Sequence, residues 1–255
     1  MKNILTICGK ELSTYFRSPI AYGIMAFFAL ISGFFFYAAT QNFVQQSLQS
    51  AMMGQSVPMN VDEWVVRSLL SNVGVVCLFL IPMITMRLFA EEKRSGTIEL
   101  LATSPLRDYE IIIGKWLAAM VLYLALLGIS AVNMATLYAY GNPSPMPMLA
   151  GYLGLILQGG ALLAIGTFVS SCTKNQIVAA VAGFGICLLL WVLDWASSFE
   201  AGPLYQAIGY LAVVSHFEPF ARGVIDSKDV IYYVTMIAVG LFLTARSMES
   251  MRWRA

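Results

Sequence analysis

From Trp116 to Thr173 the chain carries no Asp, Glu, Lys, Arg or His. A run of that length is far longer than the roughly 20 residues an α-helix needs to cross the hydrocarbon of a bilayer. It is interrupted by NPSPMP at 142–147, where three prolines forbid a continuous helix. The run therefore predicts two membrane-spanning helices joined by a tight turn. Other windows almost free of charge predict four more, and the six spans fall at 20–40, 68–89, 111–140, 148–171, 175–195 and 230–247. The last is short, but Arg246 at its end can snorkel to the interface.

Composition points to the same class. The chain is 59% hydrophobic and 11% charged, whereas a soluble domain has about a quarter of its residues charged. The expected fold is thus an all-α membrane protein, a single domain over residues 1–255. A net charge of +1 gives no reason to expect nucleic acid as a partner. Cys8, Cys77, Cys172 and Cys187 form no close-spaced pair and read as small packing residues. The first apolar run is too long for a cleavable signal, and no clear small-x-small site follows it.

Basic residues orient the spans. With both termini cytoplasmic, twelve of the 15 Lys and Arg lie inside, and only Arg67, Arg222 and Lys228 lie outside. The acidic residues divide evenly. Residues 1–19 precede the first span. At 100° per residue Ile4, Leu5, Cys8, Leu12, Tyr15 and Phe16 share one stripe, with Lys2, Lys10, Ser13 and Arg17 opposite. That pattern predicts an amphipathic helix lying in the interface against membrane lipid, ended by Pro19.

On the outer side, 41–67 is rich in Gln and Ser and reads as a loop or a short helical excursion. Its Met52, Met53 and Met59 have thioethers that suit copper(I), though interfacial packing accounts for them as well. Residues 200–233 are too polar to span and too apolar for a free loop, so a re-entrant or interfacial helical hairpin is expected, with Asp226 or Ser227 capping the last helix. His216, the single histidine, cannot build a metal site alone. Arg87 and Asp194 sit at span ends, where a structural role suits them.

The stretch TMRLFAEEKRSGTIELLATSPL at 85–106 concentrates charge between two apolar runs. Its helix reads as an extension of the second span, broken at Gly96. Thr97 can cap a short helix that Thr103, Ser104 and Pro105 stop, and Ser104 and Pro105 suit the start of the next. The expected result is a stub exposing Ile98, Leu100 and Leu101 beside mixed charge, suited to docking in a groove of another protein. A solvated connector is the plain alternative.

EEKRSGTIELLATSPL resembles the segment after the second span of type-2 ABC exporter permeases. KELSTYFRSPIAY, FLIPMITMRLFAEEKRSGTIELL, GKWLAA, SSCTKNQIVA and SHFEPFARGVIDSKDVIYY extend the resemblance over essentially the whole chain. It is closest to the gliding-motility (GldF-type) permeases and more distant from the copper-enzyme maturation (NosY-like) type.

The resemblance implies an elbow helix, six spans and a cytoplasmic coupling helix between spans 2 and 3. That helix would touch a separate ABC ATPase subunit through Glu91, Glu92, Lys93, Arg94, Gly96, Thr97, Glu99 and Leu100. A second contact would fall at 170–176, and a re-entrant element at 201–228. It implies a permease of the bacterial inner membrane, an exporter by class. Mechanical transmission to an outer-face partner, without transport, is the alternative the gliding likeness keeps open.

No GxxxxGK[ST] occurs, so ATP and Mg²⁺ are expected on the partner ATPase dimer and no cofactor on this chain. An intramembrane enzyme would need paired acids, a histidine cluster or a Ser/Lys dyad in the spans, and none is found. Six spans make a thin bundle, so a second permease chain, identical or homologous, is expected to complete a pathway. The few polar residues in the spans favour a lipidic or amphipathic cargo.

Overall fold

A computed structural model describes residues 2–53, 60–98, 106–140, 143–197 and 209–252. Among these residues the chain is helical and holds six helices long and apolar enough to cross a membrane. In chain order the elements are α1 (Lys2–Arg17), α2 (Pro19–Met52), α3 (Arg67–Thr85), α4 (Ala90–Ser95), α5 (Asp108–Tyr140), α6 (Pro145–Cys172), α7 (Gln176–Ser197), α8 (Val213–Ala221) and α9 (Ser227–Arg252). A π-helical turn, Asp62–Val66, leads into α3.

α3, α5 and α6 are buried over more than half of their apolar windows and form the centre of the bundle. α2, α7 and α9 pack around them and leave most of their surface outward. Apolar side chains gain little by leaving lipid for one another, so close backbone approach at small residues has to hold such a bundle. α6 supplies the small residues. A Cβ at Gly151 would stand 2.3 Å from Leu70, at Gly159 2.1 Å from Tyr123, and at Gly166 2.3 Å from Thr85. α9 closes on the same helix through Gly240, where a Cβ would stand 2.9 Å from Ala164. Polar bonds add to these contacts: Tyr123 donates to the Leu155 carbonyl at 2.8 Å, and Trp116 donates to the Gly160 carbonyl at 3.1 Å.

Several expectations need amending. α2 does not end near residue 40. It runs for 34 residues, about 50 Å at 1.5 Å per residue, against a hydrocarbon core of about 30 Å. The Gln- and Ser-rich segment is thus a helical excursion as far as Met52; Met52 and Met53 are exposed, and Met59 lies outside the described residues. The break at the prolines is where it was expected, and Pro145 and Pro147 fall in the first turn of α6, where missing amide donors cost nothing.

α5 starts at Asp108, not at Pro105. Glu110 reaches back to accept the Arg107 amide at 3.2 Å, the reciprocal half of a capping box. Residues 99–105, with the caps expected there, lie outside the described residues.

Of the expected outer hairpin, 198–208 lie outside the described residues, and the rest contains α8. α8 does not merely rest on the helix ends. Phe217 and Phe220 reach Gly154 of α6, where a Cβ would stand 2.6 Å from the Phe220 Cβ. α9 then starts under Asp226, which accepts the Lys228 amide at 3.2 Å, as its cap was expected to. His216 of α8 and Asp229 of α9 are both buried and lie 2.6 Å apart; Tyr232 stacks on the imidazole at 3.9 Å. The histidine therefore ties α8 to α9.

Gly159 tests the packing account. Tyr123 is pinned by its bond to Leu155, so it cannot give way to a methyl group. Gly159→Ala is expected to cost about 1–3 kcal/mol through overpacking, read as a lowered thermal midpoint in detergent. Gly128→Ala, with nothing within 4 Å of its Cβ position, is expected to be neutral or stabilising through helix propensity.

Candidate functional site

The charged stretch folds at the end of the bundle where α1, α4 and the last turns of α6 and α9 meet. Its geometry begins with a departure from a straight helix. α3 stops at Thr85, residues 86–89 form a turn, and α4 resumes at Ala90. Ser170, at the end of α6, holds that turn. Its hydroxyl accepts the amides of Phe89 and Ala90 at 3.1 and 3.2 Å and donates to the Met86 carbonyl at 3.1 Å. A side chain from a distant helix thus replaces helix bonds that the sequence alone would continue. Gly96 ends α4 in the left-handed region, φ 73°, where a Cβ would be strained.

Lys115 lies in α5, two turns from its start, and is 1% exposed. Its ammonium lies 2.8 Å from Glu11 of α1 and 2.9 Å from Glu92 of α4, and 5.3 Å from the centre of the Phe89 ring. One cation therefore joins three elements, and two carboxylates share it. Glu92 Oε2 is buried without a hydrogen-bond partner among the described residues.

Further bonds fasten α1 to the same place. Tyr15 donates to the Ile84 carbonyl at 2.8 Å, and burial together with Glu11 pushes its phenol well above the ordinary range. Asn3 donates to Glu110 at 3.2 Å. Ile7 packs on Gly114, where a Cβ would stand 2.9 Å from it.

Six of the eight residues singled out from sequence are described, and they divide into two groups. Glu91, Glu92 and Lys93 are turned toward the protein. Arg87 holds Glu91 with two bonds, at 2.9 and 3.3 Å, and Lys93 donates to the Ser171 carbonyl, which also accepts from Ser247 of α9 at 3.1 Å. Arg94, Gly96 and Thr97 are exposed. Ile98, expected to be exposed, packs half-buried on the core instead. Glu99 and Leu100 lie outside the described residues.

The turn after α6 stands beside α4. Asn175 takes its amide bond to Thr173 at 3.1 Å and caps α7 by accepting from Ile177 at 2.9 Å. Both loops thus form one surface, joined by Ser170 and Lys93.

Sequence reasoning missed the centre of the arrangement. Lys115 was counted only among the inside charges, and Glu11 fell outside the apolar stripe assigned to α1. The stripe facing the protein is Ile4, Ile7, Cys8, Glu11 and Tyr15, while Leu5 and Phe16 face outward. A polar residue at the i+3 position of an otherwise apolar stripe was the available signal.

Comparison with known proteins agrees with this architecture. Residues 5–211 match the family model described as ABC-2 family transporter protein. Over 228 residues the chain is 22% identical to the "Probable multidrug ABC transporter permease YbhR" of Escherichia coli K12, and equally to that of E. coli O157:H7. The alignment covers 84% of this chain and 61% of each relative, so the chain spans less than two thirds of their length. With the family model covering most of its residues, the chain belongs to the ABC-2 family of transporter proteins.

Proposed function

We propose that this chain is the permease subunit of a bacterial inner-membrane ABC exporter, with its termini in the cytoplasm and ATP and Mg²⁺ held by a separate ATPase dimer. The observation that carries the reading is the surface made by α4 and the 172–176 turn. It presents Arg94 and Thr97 outward, while a buried ammonium ties its back to α1 and α5. A stub braced in this way passes on a push that a free loop would absorb. The relatives' naming as probable multidrug permeases supports transport over mechanical transmission. The narrower gliding-type likeness adds nothing to the choice.

The second permease chain would pack against α2, α3 and α7. α2 and α7 flank α3, and Phe79 and Met83 of α3 are exposed between them. Phe34 of α2 and Leu189 of α7 are exposed as well. A pathway formed between two such faces would suit an amphipathic cargo, and lipid covers whatever the partner does not.

Two results test the assignment. Arg94→Glu reverses an exposed charge that has no hydrogen bond or ion pair among the described residues, so it is expected to reduce capture of the co-expressed ATPase while membrane insertion is unchanged. Equal recovery of the ATPase would refute the docking surface. Lys115→Met leaves two half-buried carboxylates, each side chain 14% exposed, without their cation and is expected to cost about 3 kcal/mol. Combining it with Glu11→Gln and Glu92→Gln removes the stranded charges and should recover most of that loss. The triple variant still binds the ATPase, but the ATPase is no longer stimulated by cargo or lipid. Normal stimulation in the triple variant would show that the tie has no part in coupling.

A further inference from the structure

Both ring nitrogens of His216, the one histidine in the chain, face an oxygen. Nδ1 lies 2.6 Å from Asp229 Oδ1, in the first turn of α9, and Nε2 lies 3.0 Å from the Tyr210 carbonyl, just before α8. A carbonyl only accepts hydrogen bonds, and so does a carboxylate. A neutral imidazole has one N–H and can satisfy one of the two. Both bonds form only when the pair holds one further proton, on Nδ1 or on Oδ1. Without it, either the carboxylate or the carbonyl meets a ring lone pair.

The surroundings supply no substitute for that proton. The His216 and Asp229 side chains are 7% and 1% exposed, so water does not replace the bond. Asp229 Oδ2 is buried with no hydrogen-bond partner among the described residues. The neighbouring phenols are spent on backbone: Tyr232 donates to the Leu211 carbonyl at 2.9 Å and Tyr233 to the Val213 carbonyl at 2.8 Å. Tyr232 stacks on the imidazole at 3.9 Å and Tyr210 meets it edge-on at 5.0 Å, and an aromatic face favours the charged ring. Lys228, next to Asp229, is held by Asp226 at 3.1 Å. Of the other helices packed against α8, α6 brings no charged residue. α3 brings Arg67 to Glu218 at 2.5 Å, and Asp194 of α7 lines the cavity beside the same Glu218. Glu218 is two residues from His216 and so points to another side of α8.

We propose that His216 and Asp229 form a proton-binding site that works as a catch. With the proton bound, α8 and the segment before it are fastened to the start of α9. As pH rises and the proton leaves, one acceptor is left buried against a lone pair, and α8 loosens from α9. The catch lies within one chain, at the end of the bundle opposite α4, and it needs neither an ATPase nor transport.

The test uses the full chain, purified without a histidine tag and placed in lipid nanodiscs without ATPase, so its failure leaves the exporter reading untouched. With ¹⁵N-labelled histidine every ring signal belongs to His216, and it is followed from about pH 5 to about pH 9. The ring is expected to carry two N–H at the acid end and to lose one proton in a single step. Over the same step, amide-exchange protection of 213–221, corrected for the intrinsic rate at each pH, is expected to fall tenfold or more, while that of α6 stays level. In Asp229→Asn the carboxamide can donate to a neutral ring, so α8 is expected to stay protected throughout. In His216→Phe the carboxylate has no donor, and low protection is expected at every pH. Should that variant not insert, the Asp229→Asn comparison decides. A ring whose protonation does not change, a titration that leaves α8 protection level, the same fall in Asp229→Asn, or parental protection in His216→Phe overturns the catch.

Discussion

A lysine ammonium held away from water has to be met by anions, and Lys115 is met by two, from parts of the chain that have no other reason to lie together. Glu11 belongs to a helix that runs along the bundle end, and Glu92 to a stub six residues long. The stub has neither the length nor the apolar surface to fix its own position, whereas α1 adds an apolar stripe to the same tie. The shared cation supplies that position, and its burial makes it hard to withdraw, because without Lys115 both carboxylates lose their counter-charge. Tyr15, Asn3 and Ile7 then add their contacts to an element already placed.

The rest of the bundle is held differently, and for a reason set by the solvent. In lipid, apolar burial does not distinguish one helix pairing from another, so shape and polar bonds decide. α6 shows both. Its glycines admit Leu70, Tyr123 and Thr85, and its carbonyls at Leu155 and Gly160 accept bonds from α5. The same helix carries Ser170 and Ser171 at one end and Gln158 about 18 Å away along its axis, at 1.5 Å per residue. Substitutions in α6 therefore act on the fold and on both ends at once.

Much of this was legible from charge and proline alone. The six spans follow from windows without charge, because crossing hydrocarbon is a constraint on each residue separately. The break near Pro145 and the Asp226 cap are equally local. What was not legible depends on residues far apart in sequence. Nothing around Glu92 announces Lys115, and nothing around Met86 announces that Ser170 will take over its backbone bonds and turn the chain. α2 was cut short for a different reason: a polar composition ends a span but does not end a helix. Gln158 stands in a charge-free run, and the glycine beside its Oε1 is Gly74 of α3, more than eighty residues earlier, so its setting was not legible locally.

The two loops at the α4 end bear on how force would enter such a bundle. Ser170 binds the turn before α4, Lys93 binds the end of α6, and Ser247 of α9 meets the same Ser171 carbonyl. A displacement of α4 is therefore opposed at once by α6, α5 and α1, which are packed and paired, and least by α2, which leaves most of its surface outward. α9 belongs to the same packed unit, since Gly240 closes on Ala164 of α6 and Ser247 on the Ser171 carbonyl, so the α4 end is braced by every helix that the buried polar groups reach.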